Sequence, residues 1–306
     1  MKQYIDIYPD IETALHLNLP VVALESTIVS HGLPYPENVH MVMRVGEIIR
    51  RNGAYPATIA IVDGRIKIGL SKEDLERLAT EKNVRKVSRR DLAYAIAKKE
   101  LGATTVATTM FCAALAGIKF FVTGGIGGVH RGYSQTMDVS ADLEELANTE
   151  VTVVCAGAKA ILDLPRTLEY LETKGVPVIG YQTDVLPAFY SRTSPHRLNL
   201  RADSPQELAE IIRVKRDLDL RGGLLVMNPI PEEYSLDEAY INRIIDEAIT
   251  EANEQAIYGK DLTPFLLKTI VDKTEGQSLE ANLHLVDNNA KLGAEIAVAF
   301  QALRRG

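Results

Sequence analysis

No tryptophan occurs among the 306 residues, and cysteine occurs only twice. Basic residues are in the minority: 34 Lys and Arg face 41 Asp and Glu, for a formal charge of -7. A nucleic-acid groove needs a net basic face and stacking rings, so both shortages argue against one. The two cysteines, Cys112 and Cys155, sit in apolar runs. They offer no disulfide framework, and a reducing cytoplasm is the default expectation. No apolar run is long enough to span a bilayer, and the N-terminal MKQYIDIYPDIETAL lacks a signal-like core. Repeats, low-complexity segments and Pro/Gly/Ser linkers are also missing. One catalytic unit over residues 1–306 is therefore expected, with Asn228-Pro229-Ile230-Pro231 as the place where a second could begin.

The chain does contain short β-branched apolar runs alternating with helical periodicity. Strands are expected at Pro20 to Leu24, Thr104 to Thr108, Lys119 to Thr123, Val151 to Ala156, Val176 to Tyr181 and Gly223 to Asn228. Ala57 to Val62 and Arg65 to Gly69 flank Asp63-Gly64, a two-residue hairpin signal. Helices are expected over Pro36 to Arg51 and Ala160 to Thr173, and from a Ser88/Asp91 capping pattern to a stop at Gly102. The C-terminal third reads as helical, with starts at Ser204-Pro205, at Ser235 with Glu238, at Thr263-Pro264 and at Ser278. This alternation predicts an α/β fold: a parallel-rich central sheet covered on both faces, with a helical C-terminal third.

The chemistry concentrates between Ile118 and Lys159. An apolar run empties into a loop with Gly124, Gly125, Gly127 and Gly128, which leads to Asp138 and Asp142. A second run delivers Lys159 in another Gly/Ala turn. Such a combination suits a small, anionic, oxygen-rich substrate rather than an interaction module. The glycines do not make a dinucleotide fingerprint, because His130 stands where the third Gly belongs, and there is no P-loop lysine motif. They can form a nest of amides, or simply a turn needing positive φ. Asp138 and Asp142 could hold a hard divalent ion; alternatively Ser140 is a helix N-cap with Asp142 in the first turn. Glu25 closes the run VVALE, where strand ends face a ligand crevice. A carboxyl there can act as a general acid, or can cap a nearby turn. Lys86, with Arg89 and Arg90, precedes a helix start and reads as a phosphate clamp or as a solvated basic turn. Lys159, expected just ahead of a helix, can attack a carbonyl carbon once unprotonated and form a Schiff base.

Seven segments in order resemble one family, the pseudouridine-5'-phosphate glycosidases or indigoidine synthase A-like proteins. They are ALESTIVSHGLPYPEN at 23–38, KVSRRDL at 86–92, FVTGGIGGVHRG at 121–132, MDVSADL at 137–143, VVCAGAKAILD at 153–163, GYQTDVLPAFYSR at 180–192 and SLEANLHLVDNNA at 278–290. Ala93 stands where the family pattern has Pro. The resemblance implies reversible cleavage of the C–C glycosidic bond of pseudouridine 5'-phosphate, on a three-layer α/β/α core. By matching position it implies Glu25 as proton donor, Lys159 as the covalent residue and Asp138 as ligand of Mn²⁺, with Mg²⁺ an alternative. Lys86, Val106, Ser140, Ala141 and Asp142 fall on substrate-binding positions, and Thr123, His130 and Asn282 on nearby ones. A homotrimer and a small-molecule substrate are implied as well. The competing reading is another Schiff-base lyase, of aldolase type, acting on a sugar phosphate.

Overall fold

A computed structural model describes residues 2–303, so residue 1 and residues 304–306 of the expected unit lie outside the described residues. Eleven strands form one sheet among them: β1 (Ile5–Ile7), β2 (Val21–Leu24), β3 (Tyr55–Val62), β4 (Arg65–Ile68), β5 (Arg85–Val87), β6 (Gly102–Thr104), β7 (Phe120–Val122), β8 (Thr152–Cys155), β9 (Val178–Tyr181), β10 (Leu200–Ala202) and β11 (Leu224–Met227). The order is β1-β4-β3-β2-β7-β8-β11-β9-β10, with β6 pairing β3 and β5 pairing β6. From β3 through β2 to β10 every neighbour is parallel. β4 and β6 run antiparallel to β3. All four residues of β2, of β8 and of β11 are buried, as expected of strands covered on both faces. The fold is therefore the expected three-layer α/β/α arrangement with a parallel-rich sheet.

Local chemistry explains the ends. Asp63 and Gly64 both adopt positive φ, 51° and 76°, the two-residue turn that suits the β3–β4 twist. Ser204 accepts from the Glu207 amide at 3.2 Å and opens the helix Pro205–Asp217. Several boundaries differ from the sequence reading. The helix Leu92–Ala97 ends early, and Gly102 opens β6 instead of stopping a helix. β6 itself stops at Thr104, because Thr105 caps the helix Val106–Leu115. Asp237, not Ser235, caps Glu238–Glu254, and the Ser235 hydroxyl accepts the Arg192 amide at 3.1 Å. The helix Leu262–Lys273 has begun before Thr263, and Ser278 lies inside the helix Gln277–Leu303. That last helix packs across β2, β7 and β8. Gly293 makes the approach possible, since a Cβ there would run into the Val122 side chain.

Candidate active site

The strand register places the first pair of groups. Leu24 at the end of β2 pairs with Val122 at the end of β7, so Glu25 and Thr123 emerge side by side. Thr123 Oγ1 donates to Glu25 Oε1 at 2.5 Å, and Thr27 Oγ1 donates to Oε2. The next residue, Ser26, is fully buried and ties this turn to its neighbours. It donates to the Ile59 carbonyl at 2.7 Å and accepts from the Thr104 amide at 2.8 Å. Glu25 therefore sits half-buried on a fixed backbone.

β7 and β8 keep pairing beyond their last strand residues. The Thr123 amide reaches the Val154 carbonyl at 3.1 Å, Ala156 reaches Gly124 at 2.9 Å, Ile126 reaches Gly157 at 3.1 Å and Lys159 reaches Ile126 at 3.0 Å. This irregular ladder brings Lys159 beside the glycine loop, where Nζ donates to the Gly125 carbonyl at 3.0 Å. The following helix starts only at Leu164, capped by Asp163, and not at Ala160. The position of Lys159 therefore comes from strand pairing rather than from a helix end. None of Gly124, Gly125, Gly127 and Gly128 needs positive φ. Their role is close approach: a Cβ on Gly127 would collide with the side chains of Ser140 and Asp142, and one on Gly125 would lie 2.6 Å from the Phe189 ring.

Asp142 is a structural tie. It is buried, with Oδ1 accepting the Ala107 amide at 2.9 Å and Oδ2 the Gly127 amide at 2.7 Å. Ser140 is its N-cap, accepting the Asp142 amide at 3.2 Å, so the helix-start reading holds and the paired-carboxylate metal reading does not. The tie joins the glycine loop to the helix that begins at buried Val106. Lys86 lies on β5 opposite Ala103. Burial pushes its amine below the ordinary 10.5, and the charge of Lys159 adds to the effect, against Asp142, Glu25 and Asp261. Of the arginines of the phosphate-clamp reading, Arg89 pairs with buried Glu145 and stacks 3.9 Å over Phe111, and Arg90 is largely exposed; both line the same cavity as Lys86. His130 is held below its usual range chiefly by burial, opposed by Asp138 and reinforced by Lys86 and Lys159.

All eleven residues singled out above line one cavity of about 1290 Å³, including Ala141 and Asn282. Asn282 comes from the C-terminal helix, and its Oδ1 is buried with no hydrogen-bond partner. Among the described residues no three His, Cys, Asp or Glu gather as a metal cage. Asp138 stands half-exposed at the wall, 4.0 Å from His130 Nδ1. One carboxylate with room for waters fits a hard divalent ion and not a soft one. Sequence reasoning missed Thr27 and the Gly125 carbonyl, which touch the two central groups, and Asn289, which grips Thr123. Thr27 lies two residues from Glu25 and its contact is local, whereas only long-range pairing makes the Gly125 carbonyl and Asn289 visible.

Residues 10–299 match the family described as indigoidine synthase A like protein. The chain belongs to this family. Relatives within it include the pseudouridine-5'-phosphate glycosidase of Staphylococcus aureus (strain MW2), 63% identical over 99% of both chains. The enzyme of the same name from Escherichia coli (strain K12) is 57% identical over 98% of this chain and 97% of its own. Among solved structures, the prealnumycin C-glycosynthase AlnA in complex with ribulose 5-phosphate superposes with a TM-score of 0.92 at 37% identity, covering 99% of both chains. The indigoidine synthase A-like protein of Thermotoga maritima superposes with 0.89, also at 37% identity, over 97% of this chain and 96% of its own. No helix among the described residues is long and apolar enough to cross a membrane.

Proposed function

We propose that this chain reversibly cleaves the C–C glycosidic bond of pseudouridine 5'-phosphate, giving uracil and ribose 5-phosphate. The carrying observation is the shared cavity: a carboxyl held by two threonine hydroxyls and an amine held to a loop carbonyl both open on it. The names of the full-length relatives support the same reaction.

A bond to uracil C5 lacks the leaving group of an N-glycoside, so simple departure of the base is hard. Glu25 gives its proton to the ring oxygen as the C1'–O4' bond opens. The Lys159 amine adds to C1'. Glu25, now a carboxylate, takes the surplus proton from the added amine and passes it to C5 of the uracil ring, and the C1'–C5 bond breaks. The nitrogen lone pair forms C=N as the bonding pair returns to the ring. Water then hydrolyses the imine, freeing ribose 5-phosphate and the amine. Hydroxyls both donate and accept, so Thr27 and Thr123 can hold Glu25 before and after it gives up its proton. Lys86 holds the 5'-phosphate, with the helix start at Val106 and the Ser140–Ala141–Asp142 turn beside it. His130 lies against the same site. Asp138, completed by waters, would hold Mn²⁺ or Mg²⁺, and a bound ion there supplies stabilisation of developing negative charge.

The unpartnered Oδ1 of Asn282 can accept a uracil N–H, and the full-length relatives named for the pseudouridine reaction favour uracil over the aldolase alternative. A homotrimer and a cytoplasmic location belong to the same proposal, and light scattering on the purified protein checks the first. The reaction is tested by incubating the protein with pseudouridine 5'-phosphate and Mn²⁺. Uracil and ribose 5-phosphate appear in equal amounts; loss of nucleotide without uracil, or no loss at all, overturns it.

A further inference from the structure

Thr123 stands between two glycines ahead and a strand behind, and its hydroxyl orients the Glu25 carboxyl. The chain beyond it has no side chains to lock its peptide. The anchor comes from far away in sequence. Asn289, on the C-terminal helix, is fully buried, and its Nδ2 donates to the Thr123 carbonyl at 2.9 Å. The same amide lies 3.5 Å from the Gly124 carbonyl. Its Oδ1 accepts from Asn228 Nδ2 at 3.0 Å, and the Asn228 backbone amide in turn donates to the Cys155 carbonyl at 2.8 Å. Asn228 is buried as well. A buried polar pair without full satisfaction is destabilising, so two asparagines in an otherwise apolar contact need each other and the strand ends they bind. The chain of bonds runs from the end of β11, through the helix, to the end of β7, and through a hydroxyl to the carboxyl at the end of β2.

From this geometry we infer that Asn289 is a positioning residue for the proton donor, acting through Thr123. The inference rests on the reaction proposed above. Asn289 touches neither substrate nor Glu25. It fixes the peptide from which Thr123 Oγ1 projects, and so the direction in which Glu25 presents its acid. An asparagine is suited to this because one end must donate to a carbonyl while the other accepts from an amide. A leucine of similar size can do neither.

The test is a double-mutant cycle in the full-length enzyme with pseudouridine 5'-phosphate. Asn289→Asp keeps the acceptor toward Asn228 and removes the donor toward Thr123. Its kcat is expected to fall about 10-fold to 100-fold, as small misplacements of catalytic groups do, with KM changed by less than about 3-fold. In a Thr123→Val background, where the hydroxyl is already gone, the same substitution is expected to lower kcat by less than about 3-fold, since coupled residues are not additive. A merely structural role would give the same loss in both backgrounds, and that outcome overturns the inference, as does an unchanged kcat in Asn289→Asp. If Asn289→Asp does not fold by thermal melting, Asn289→Leu, which can neither donate nor accept, takes its place in the cycle, with the same two criteria. A wild type that releases no uracil sinks the proposed reaction instead, which separates the two failures.

Discussion

Lys159 and Lys86 are two amines in one cavity, and the proposed reaction gives them different work. Lys159 rests on a backbone carbonyl that cannot neutralise it by ion pairing, which leaves the nitrogen available for addition once it loses its proton. Lys159→Ala should lower turnover by about 10⁴-fold or more, the range seen when a covalent residue is removed. Borohydride with ribose 5-phosphate should trap an adduct on the wild type and none on the variant. In the proposed reaction Lys86 binds the phosphate as an ammonium, yet burial holds its amine below 10.5. The sign follows: as pH rises through that lowered value the ammonium is lost and phosphate affinity drops. KM should therefore rise with pH below the ordinary lysine range. In Lys86→Arg, whose guanidinium stays protonated, that alkaline limb should vanish. A pH profile of KM for both proteins checks it. At this scale the sequence is legible where a strand end sets a residue's place, as it does for Glu25 after β2. Asp142 is not, because whether a carboxylate binds a metal or two amides depends on what folds against it, here Ala107 and Gly127.

Elements carry the site because strand ends in register set where side chains emerge. The central strands are readable from their apolar runs, and so is the β3–β4 turn, whose two residues specify it locally; the three-residue strands β1, β5 and β10 are too short and too polar to stand out, and Thr104 to Thr108 is mostly helix. The starts of helices are less readable. Ser235 and Asp237 are both competent caps, and the tertiary bond from the Arg192 amide to Ser235 decides between them. Ala160 to Asp163 reads as helical, but Ala160 and Ile161 form a turn after the ladder that continues β7 and β8, and Leu162 bridges to His130, a pairing no local pattern encodes. The glycine loop is the element most sensitive to change. Gly127→Ala would drive a methyl into Ser140 and Asp142, and overpacking of this kind costs about 1–3 kcal/mol. Urea unfolding should register the loss. KM should rise along with it, because the displaced Ser140–Asp142 turn adjoins Lys86.

For the molecule as a whole, the proposed ion and the fold are separable. Asp138 stands at the cavity wall and takes no part in the core, so chelation should abolish uracil release while leaving the thermal midpoint within about 2 °C, a shift equivalent to about 1 kcal/mol for a chain of this size. Added Mn²⁺ should restore the rate. A metal-free preparation with full activity would remove the ion from the mechanism.

The sheet order has a consequence for how the chain comes together. β11 lies between β8 and β9, although it follows both in sequence. Until it arrives, β8 and β9 each present a bare edge of unpaired amides and carbonyls, and the two cannot satisfy one another in the final register. A nascent chain paused between these segments is thus a ready target for strand addition by a second molecule, and so a natural client for chaperones. Slow synthesis or a raised temperature at that point should send this protein to inclusion bodies well before either harms the finished enzyme.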